Sequence, residues 1–209
     1  MNEVYHVFNK SIAGYKIFND DSEYQRMISA IVYYQRHENP LNFSEYITSP
    51  QGREQEIKTV SDEDSLVRII AYCLMPTHFH FILELLREDG ISTFTSNLLN
   101  SYTRYFNLKH KRKGPLWEGR TKKVLIETNE QLIHLTRYLH LNPVTAHLVE
   151  TSEKWEASSY KEYLGVSPRQ GICQYAHVLE IDPLQYRKFV EDQISYQREL
   201  ALVKHLILE

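Results

Sequence analysis

The stretch "AYCLMPTHFHFILEL", residues 71–85, decides how this chain is read. Two runs rich in β-branched and aromatic residues, "SLVRIIAYCLM" and "HFHFILELL", meet at Met75-Pro76-Thr77, the pattern of a β-hairpin. Residues two apart on a strand share a face, so His78 and His80 project together. Phe79, Phe81 and Leu83 then point to the other side, toward a core. Two neutral imidazoles side by side on a polar face suit a divalent metal. Ten histidines in 209 residues produce about 0.5 such pairs by chance, so the pair gains meaning only from its company.

Working outward, "VYHVFNKS" alternates as a strand, with Val4, His6 and Phe8 on one side and Tyr5, Val7 and Asn9 on the other. "DSEYQRMISAIVYYQR" is an amphipathic helix capped by Asp21 or Ser22, with Tyr24, Ile28, Ile31 and Tyr34 on its apolar stripe. Residues 38–64 are polar and turn-rich and read as an enlarged loop with a helical turn near Phe43–Tyr46. "STFTSNLLNSYTRYFNLKHKRK" is the longest helix, ended by Gly114-Pro115. "KVLIE" is a short strand. "NEQLIHLTRYLHLN" is a helix capped at Asn129 and stopped by Pro143, and a last helix covers roughly 183–207. Helices interleaved with strands around a hairpin give an α+β fold, an antiparallel sheet with helices packed mainly on one face. The other face is then available to a ligand.

The histidines' company comes from "HLTRYLHLNPV". Tyr138 and Asn142 are four residues apart and share a helix face. Asn142 offers an amide oxygen as a third ligand beside two imidazoles, and Tyr138 a hydroxyl next to them. The plainer alternative makes Tyr138 a half-buried core aromatic and Asn142 a helix terminator.

A net charge of −3 argues against nucleic acid, but its distribution argues for it. Residues 103–123 carry eight Lys or Arg and a single Glu. Such a stripe is an electrostatic footprint for phosphate, or else a solvated helix end and loop. No apolar run approaches a membrane span and no signal-peptide pattern opens the sequence. Two cysteines, Cys73 and Cys173, lack metal or redox spacing, so a reduced cytoplasmic setting is expected.

Taken together, "YHVFNK", "YCLMPTHFHFILE", "YTRYFN", "GPLWEGR", "RYLHLNPV" and "SSYKEYLG", in that order, resemble the single-tyrosine HUH transposases of the REP-associated tyrosine transposase branch. The resemblance covers residues 1–165 as one domain. Residues 166–209 lie outside it as a C-terminal helical extension. It implies a ferredoxin-like (RRM-like) sheet, His78, His80 and Asn142 as ligands of Mg²⁺ or Mn²⁺, and Tyr138 as nucleophile. The implied substrate is single-stranded DNA beside palindromes that fold into hairpins, cut through a 5′-phosphotyrosine link and rejoined without ATP. The implied setting is nucleoid-associated, and relatives include both swapped homodimers and monomers. Thr77 stands where an Asn is usual, Glu118 where a Gln is frequent, and "VTAHLV" lacks a common Arg-Ala-Gly.

On this reading Arg104, Lys109, Lys111, Arg112, Lys113, Arg120, Lys122 and Lys123 contact phosphates. Trp117 stacks on an unpaired base, or instead anchors its own loop. Protonation of the histidines below about pH 6 is expected to expel the metal. The rival reading is a non-catalytic hairpin-DNA-binding repressor that keeps the basic stripe and needs no metal. A structural Tyr138 in a metal-dependent phosphodiesterase or an RNA-binding module is a further one.

Overall fold

A computed structural model describes residues 3–39, 41–49, 61–167 and 171–198. Four strands, β1 (Val4–Lys10), β2 (Val67–Met75), β3 (His78–Leu85) and β4 (Lys122–Ile126), form one antiparallel sheet in the order β2-β3-β1-β4. Helix α1 (Asp21–Tyr34) links β1 to β2, and α3 (Gly90–Lys109) links β3 to β4. This is the split β-α-β arrangement of a ferredoxin-like fold. The short α2 (Phe43–Thr48) follows α1. After β4 come α4 (Asn129–Thr145), the single turn α5 (Tyr160–Tyr163) and α6 (Pro183–Glu191).

The expected alternation of β1 is observed, and it sorts the molecule into two cores. Val7, Phe79, Phe81, Leu83, Tyr72 and Leu74 face α1 and α3, where they meet Met27, Ile31, Phe94, Leu98, Tyr102 and Phe106. Val4, Ile70, Cys73, Met75 and Ile82 face the other way, onto Leu132, Leu139 and Leu141 of α4 and onto Tyr160, Tyr163, Tyr186 and Val190. Helices therefore cover both faces over β2, and only the β1–β4 half of the second face stays open. That explains why β2 reads as a nearly unbroken apolar run: a strand covered on both sides has no polar alternation. A register shift at Ile69/Ala71 adds one residue to this strand.

β2 is an edge strand, but its outer backbone is paired. Leu74 N–H donates to Ala157 O at 2.9 Å, Ser159 N–H to Tyr72 O at 3.0 Å, and Gln174 N–H to Ile69 O at 2.8 Å. The edge is thus covered by the same segment that carries "SSYKEYLG". Part of residues 166–209 joins the second core, through Leu179, Tyr186 and Val190.

Several element ends differ from the sequence reading. Asp20, not Asp21 or Ser22, caps α1, its carboxylate accepting from Glu23 N–H at 3.1 Å. Thr128, not Asn129, caps α4. Pro143 lies inside α4 rather than stopping it, and the helix runs on to Thr145 before Ala146 N–H closes onto Asn142 O. A proline near a helix C-terminus forfeits one donor but not the following turn. α6 pauses at residues 192–193 and helix resumes over 194–198; the expected continuation to 207 lies outside the described residues.

Gly90 opens α3, and a Cβ there would sit 2.2 Å from Leu66 O. Alanine ordinarily favours a helix over glycine by about 0.5–1 kcal/mol. Here the clash is with main chain that cannot swing aside, so the sign reverses. Gly90→Ala is expected to destabilise the fold by about 1–3 kcal/mol, read as a lowered urea midpoint with unchanged slope. An unchanged or raised midpoint would show that Leu66 can retreat at no cost.

Candidate active site

The hairpin holds His78 and His80 on the second face, beside the strip that α4 leaves open. Their rings are 5.1 Å apart between centroids and nearly perpendicular. β1 lies alongside, with Phe8 opposite His80 and Lys10 opposite His78. This brings in a third imidazole that the sequence reading placed on the right face of its strand but gave no role. His6 Nε2 is 2.9 Å from His80 Nδ1, and its ring stacks on that of His80 at 5.2 Å. On the other side Thr77 Oγ1 lies 3.0 Å from His78 Nδ1. Each histidine of the pair therefore spends Nδ1 on a protein partner, and among the described residues neither Nε2 has one.

α4 crosses β2 so that the edge of the Tyr138 ring meets His80 at 5.8 Å, with an interplanar angle of 85°. Tyr138 is 46% exposed, an unusual degree for an aromatic packed on a sheet. Asn142, one turn on, has its amide nitrogen buried without a hydrogen-bond partner. The structure thus brings Tyr138 against His80 and His80 beside His78, with Asn142 one helical turn from Tyr138 on α4.

What aims Tyr138 is His140, two residues on and on the opposite side of α4. It is fully buried, with Nδ1 2.7 Å from Tyr186 Oη and Nε2 2.8 Å from Ser159 Oγ. Tyr186 donates to Thr136 Oγ1 at 2.9 Å, and Ser159 Oγ accepts from Tyr72 N–H at 2.9 Å. Because the Tyr186 hydroxyl donates to Thr136, His140 Nδ1–H donates to Tyr186 Oη; Ser159 Oγ faces Nε2 and also lies 3.1 Å from Tyr72 O, a second acceptor for its single proton. Leaving either ring nitrogen unpaired in this core would cost about 1–3 kcal/mol.

A metal fits the donor set in part. Two imidazoles with free Nε2 atoms and the carboxamide oxygen of Asn142 are suitable ligand types. Among the described residues no three His, Cys, Asp or Glu side chains converge on a metal position, so the set depends on Asn142 as its third member. A cavity of about 360 Å³ opens beside the pair, bounded by Phe8, Lys10, His78, His80, Glu118 and Lys122. Glu118 is held by Lys10 at 2.9 Å.

The basic stretch does not form one surface. Lys122 pairs across from Phe8 and shares the histidine face, whereas Lys123 pairs across from Val7 and turns over the Tyr5 ring. Lys111, Lys113 and Arg120 are exposed on the connecting loop. Lys109 is tied to Asp20 at 2.7 Å and Glu23 at 3.0 Å. Arg112 donates to Asn107 Oδ1 at 2.9 Å and Pro115 O at 2.6 Å, which closes the loop on itself. Arg104 sits on α3, on the far side of the sheet. Trp117 takes the anchoring role of its two alternatives: it packs on Phe79 at 5.4 Å and donates its indole N–H to Thr103 Oγ1 at 3.0 Å.

Burial dominates the titration of the site. It pushes His80 down to about 3, with the neighbouring His78 and His6 adding to the effect, and His6 down to about 4. His78 is lowered for the same reason. Tyr138 is raised by burial, against the neighbouring Asn142 side chain, which pulls it down. The expectation that the pair protonates near pH 6 is therefore replaced by a lower limit.

His140 is also held at about 3 by burial. The folded pKa of these groups lies below the unfolded value near 6.5, so the stability they contribute is complete above about pH 6.5. It is lost as pH falls through 4 toward 3. Glu162, pushed up to about 7 by burial, works in the opposite sense, one carboxyl against four imidazoles. Urea midpoints are expected to fall between pH 7 and pH 4, and imidazole NMR signals of His80 and His140 to stay in the neutral position above pH 5. A His80 signal titrating near pH 6.5 would contradict the burial argument.

No family model matches the chain. A Haemophilus influenzae protein provisionally named a REP-associated tyrosine transposase is 27% identical over 101 residues, which span 44% of this chain and 57% of that relative. A solved structure described as the REP-associated tyrosine transposase bound to a REP hairpin superposes with a TM-score of 0.53 at 17% identity, over 87% of this chain and 90% of that one. At that identity the superposition speaks for the fold. The motifs, the curated relative and the fold neighbour agree on one group: this chain is similar to the REP-associated tyrosine transposases.

Proposed function

We propose that this protein binds hairpin DNA and cuts and rejoins the adjoining single strand, with Tyr138 as the nucleophile. The observation that carries the reading is the meeting of Tyr138 with the His78–His80 pair beside an open strip of sheet, within a single chain, with Asn142 one helical turn from Tyr138. No second copy is needed to complete the site, although a homodimer is compatible with it.

In the reaction, Tyr138 Oη attacks phosphorus, the bond from phosphorus to the 3′ oxygen breaks, and the strand leaves with a free 3′-hydroxyl. The 5′-phosphotyrosine keeps the phosphodiester's free energy, so a second 3′-hydroxyl can displace the tyrosine without ATP. Asn142, one turn along α4, lowers the Tyr138 pKa and so favours the ionised phenol. Burial opposes this, so activity should rise on the alkaline side of neutrality. His78, His80 and Asn142 would hold a Mg²⁺ or Mn²⁺ ion. When bound, such an ion polarises the scissile phosphate and neutralises charge developing on it. Every one of these ligands is neutral, which keeps the cation's charge for the phosphate and makes protein-only affinity weak. Lys122 borders the same cavity and is placed to meet a flanking phosphate.

Two variants test the reading. Tyr138→Phe removes one oxygen, so folding and hairpin affinity should persist while the covalent protein–DNA band on a denaturing gel disappears. His80→Ala should abolish that band in Mg²⁺ or Mn²⁺ without unfolding the sheet. A persisting band in Tyr138→Phe moves the nucleophile elsewhere. If wild-type protein binds hairpins but never forms the band, the binding-only repressor reading replaces this one.

A further inference from the structure

On the opposite face of the sheet, α1, α2 and α3 frame an open depression of about 480 Å³. Arg26 of α1 lies in it between two rings, its guanidinium carbon 4.4 Å from the Phe43 centroid and 5.0 Å from that of Tyr105. Arg104 of α3 borders the same depression, with the hydroxyls of Ser44 and Ser101. None of the residues bordering it is acidic.

The ionic state of Arg26 is unlike that of its counterparts. Arg68 is paired with Glu84 and Asp62, Arg187 with Glu153, and Lys109 with Asp20 and Glu23. Arg26 makes no ion pair or hydrogen bond among the described residues, although it is half-buried. Arg104 spends only Nε–H, on Asn100 O of its own helix at 3.4 Å. A guanidinium held against two aromatic rings is pre-organised, and its five donors are in a fixed fork that matches a phosphate. Removing a cation from water without an anion is costly, and an incoming anion relieves that cost.

The geometry points to a second phosphate-binding site here, in which Arg26 and Arg104 grip a backbone phosphate of the DNA away from the reacting strand. Arg104, grouped by sequence with the 109–123 stretch, works instead with Arg26. The assignment to DNA rests on the proposed hairpin-binding function. The phosphate chemistry does not, and the two can be tested apart.

Arg26→Gln keeps a planar group between the rings, Arg26→Lys keeps the charge without the fork, and Arg104→Gln changes an exposed position. Circular dichroism and thermal midpoints control for folding. Hairpin-DNA affinity measured from 50 to 200 mM salt should drop several-fold in Arg26→Gln and in Arg104→Gln. The log–log salt slope should flatten by about one per lost contact. Arg26→Lys should retain the slope but lose affinity. Phosphorus NMR of inorganic phosphate should show weak binding to wild type that Arg26→Gln abolishes. If wild type fails to bind hairpins while the phosphate titration still depends on Arg26, the site stands and the DNA reading falls. If folded variants change neither slope nor phosphate binding, Arg26 is only a staple between α1 and α2, and the proposal is overturned. Binding of poly-glutamate that depends on Arg26, with an unchanged hairpin slope, would overturn it in favour of an acidic protein partner.

Discussion

The directed hydrogen bonds through His140 decide where the rest of the site can be. Tyr72 N–H on β2 donates to Ser159, Ser159 Oγ meets His140 Nε2, His140 donates to Tyr186, and Tyr186 to Thr136. Both ring nitrogens of the buried, neutral imidazole are occupied in this way. The network joins the sheet edge, α4 and α6, three pieces far apart in sequence. Rotating α4 would break it in a dry core, where an unpaired group costs about 1–3 kcal/mol. Residues 200° apart on a helix face opposite ways. Locking His140 inward therefore turns Tyr138 out over His80.

The sheet separates two tasks by face. The α1–α3 side is a conventional core of large aromatics, with Tyr102 donating its hydroxyl to Ile17 O. The other side is dry over β2 and open over β1 and β4, where Val124 remains 55% exposed. That boundary is where His6, His78 and His80 lie. Near the dry half, desolvation keeps the imidazoles uncharged and able to act as ligands. On the proposed reading the open half leaves access for a nucleic acid strand, and Lys122 stands there.

The same desolvation makes the site a poor place for fixed negative charge. Its donors are imidazoles, an amide and a phenol, and the nearby Glu118 is neutralised by Lys10. On the proposed reading this suits a phosphodiester, which a carboxylate-lined pocket would repel. The cost is a high tyrosine pKa, only partly offset by Asn142.

The sequence by itself determined whatever depends on short periodicities. The hairpin at Pro76-Thr77, the shared face of His78 and His80, and the spacing of Tyr138 and Asn142 follow from local backbone geometry, and each is observed. Only the tertiary structure decided which cationic groups are free. Lys109, Arg112 and Trp117 look available in a linear stretch, yet acids on α1, loop carbonyls and Thr103 occupy them. The partners of His6, His140 and Arg26 are likewise 74, 19 and 46, and 17 and 79 residues away along the chain, respectively. No local pattern encodes such pairings, because they are made by packing across the sheet and between helices. Burial, which shifts His6, His78, His80 and Tyr138, is likewise a property of the assembled layers and not of any one segment.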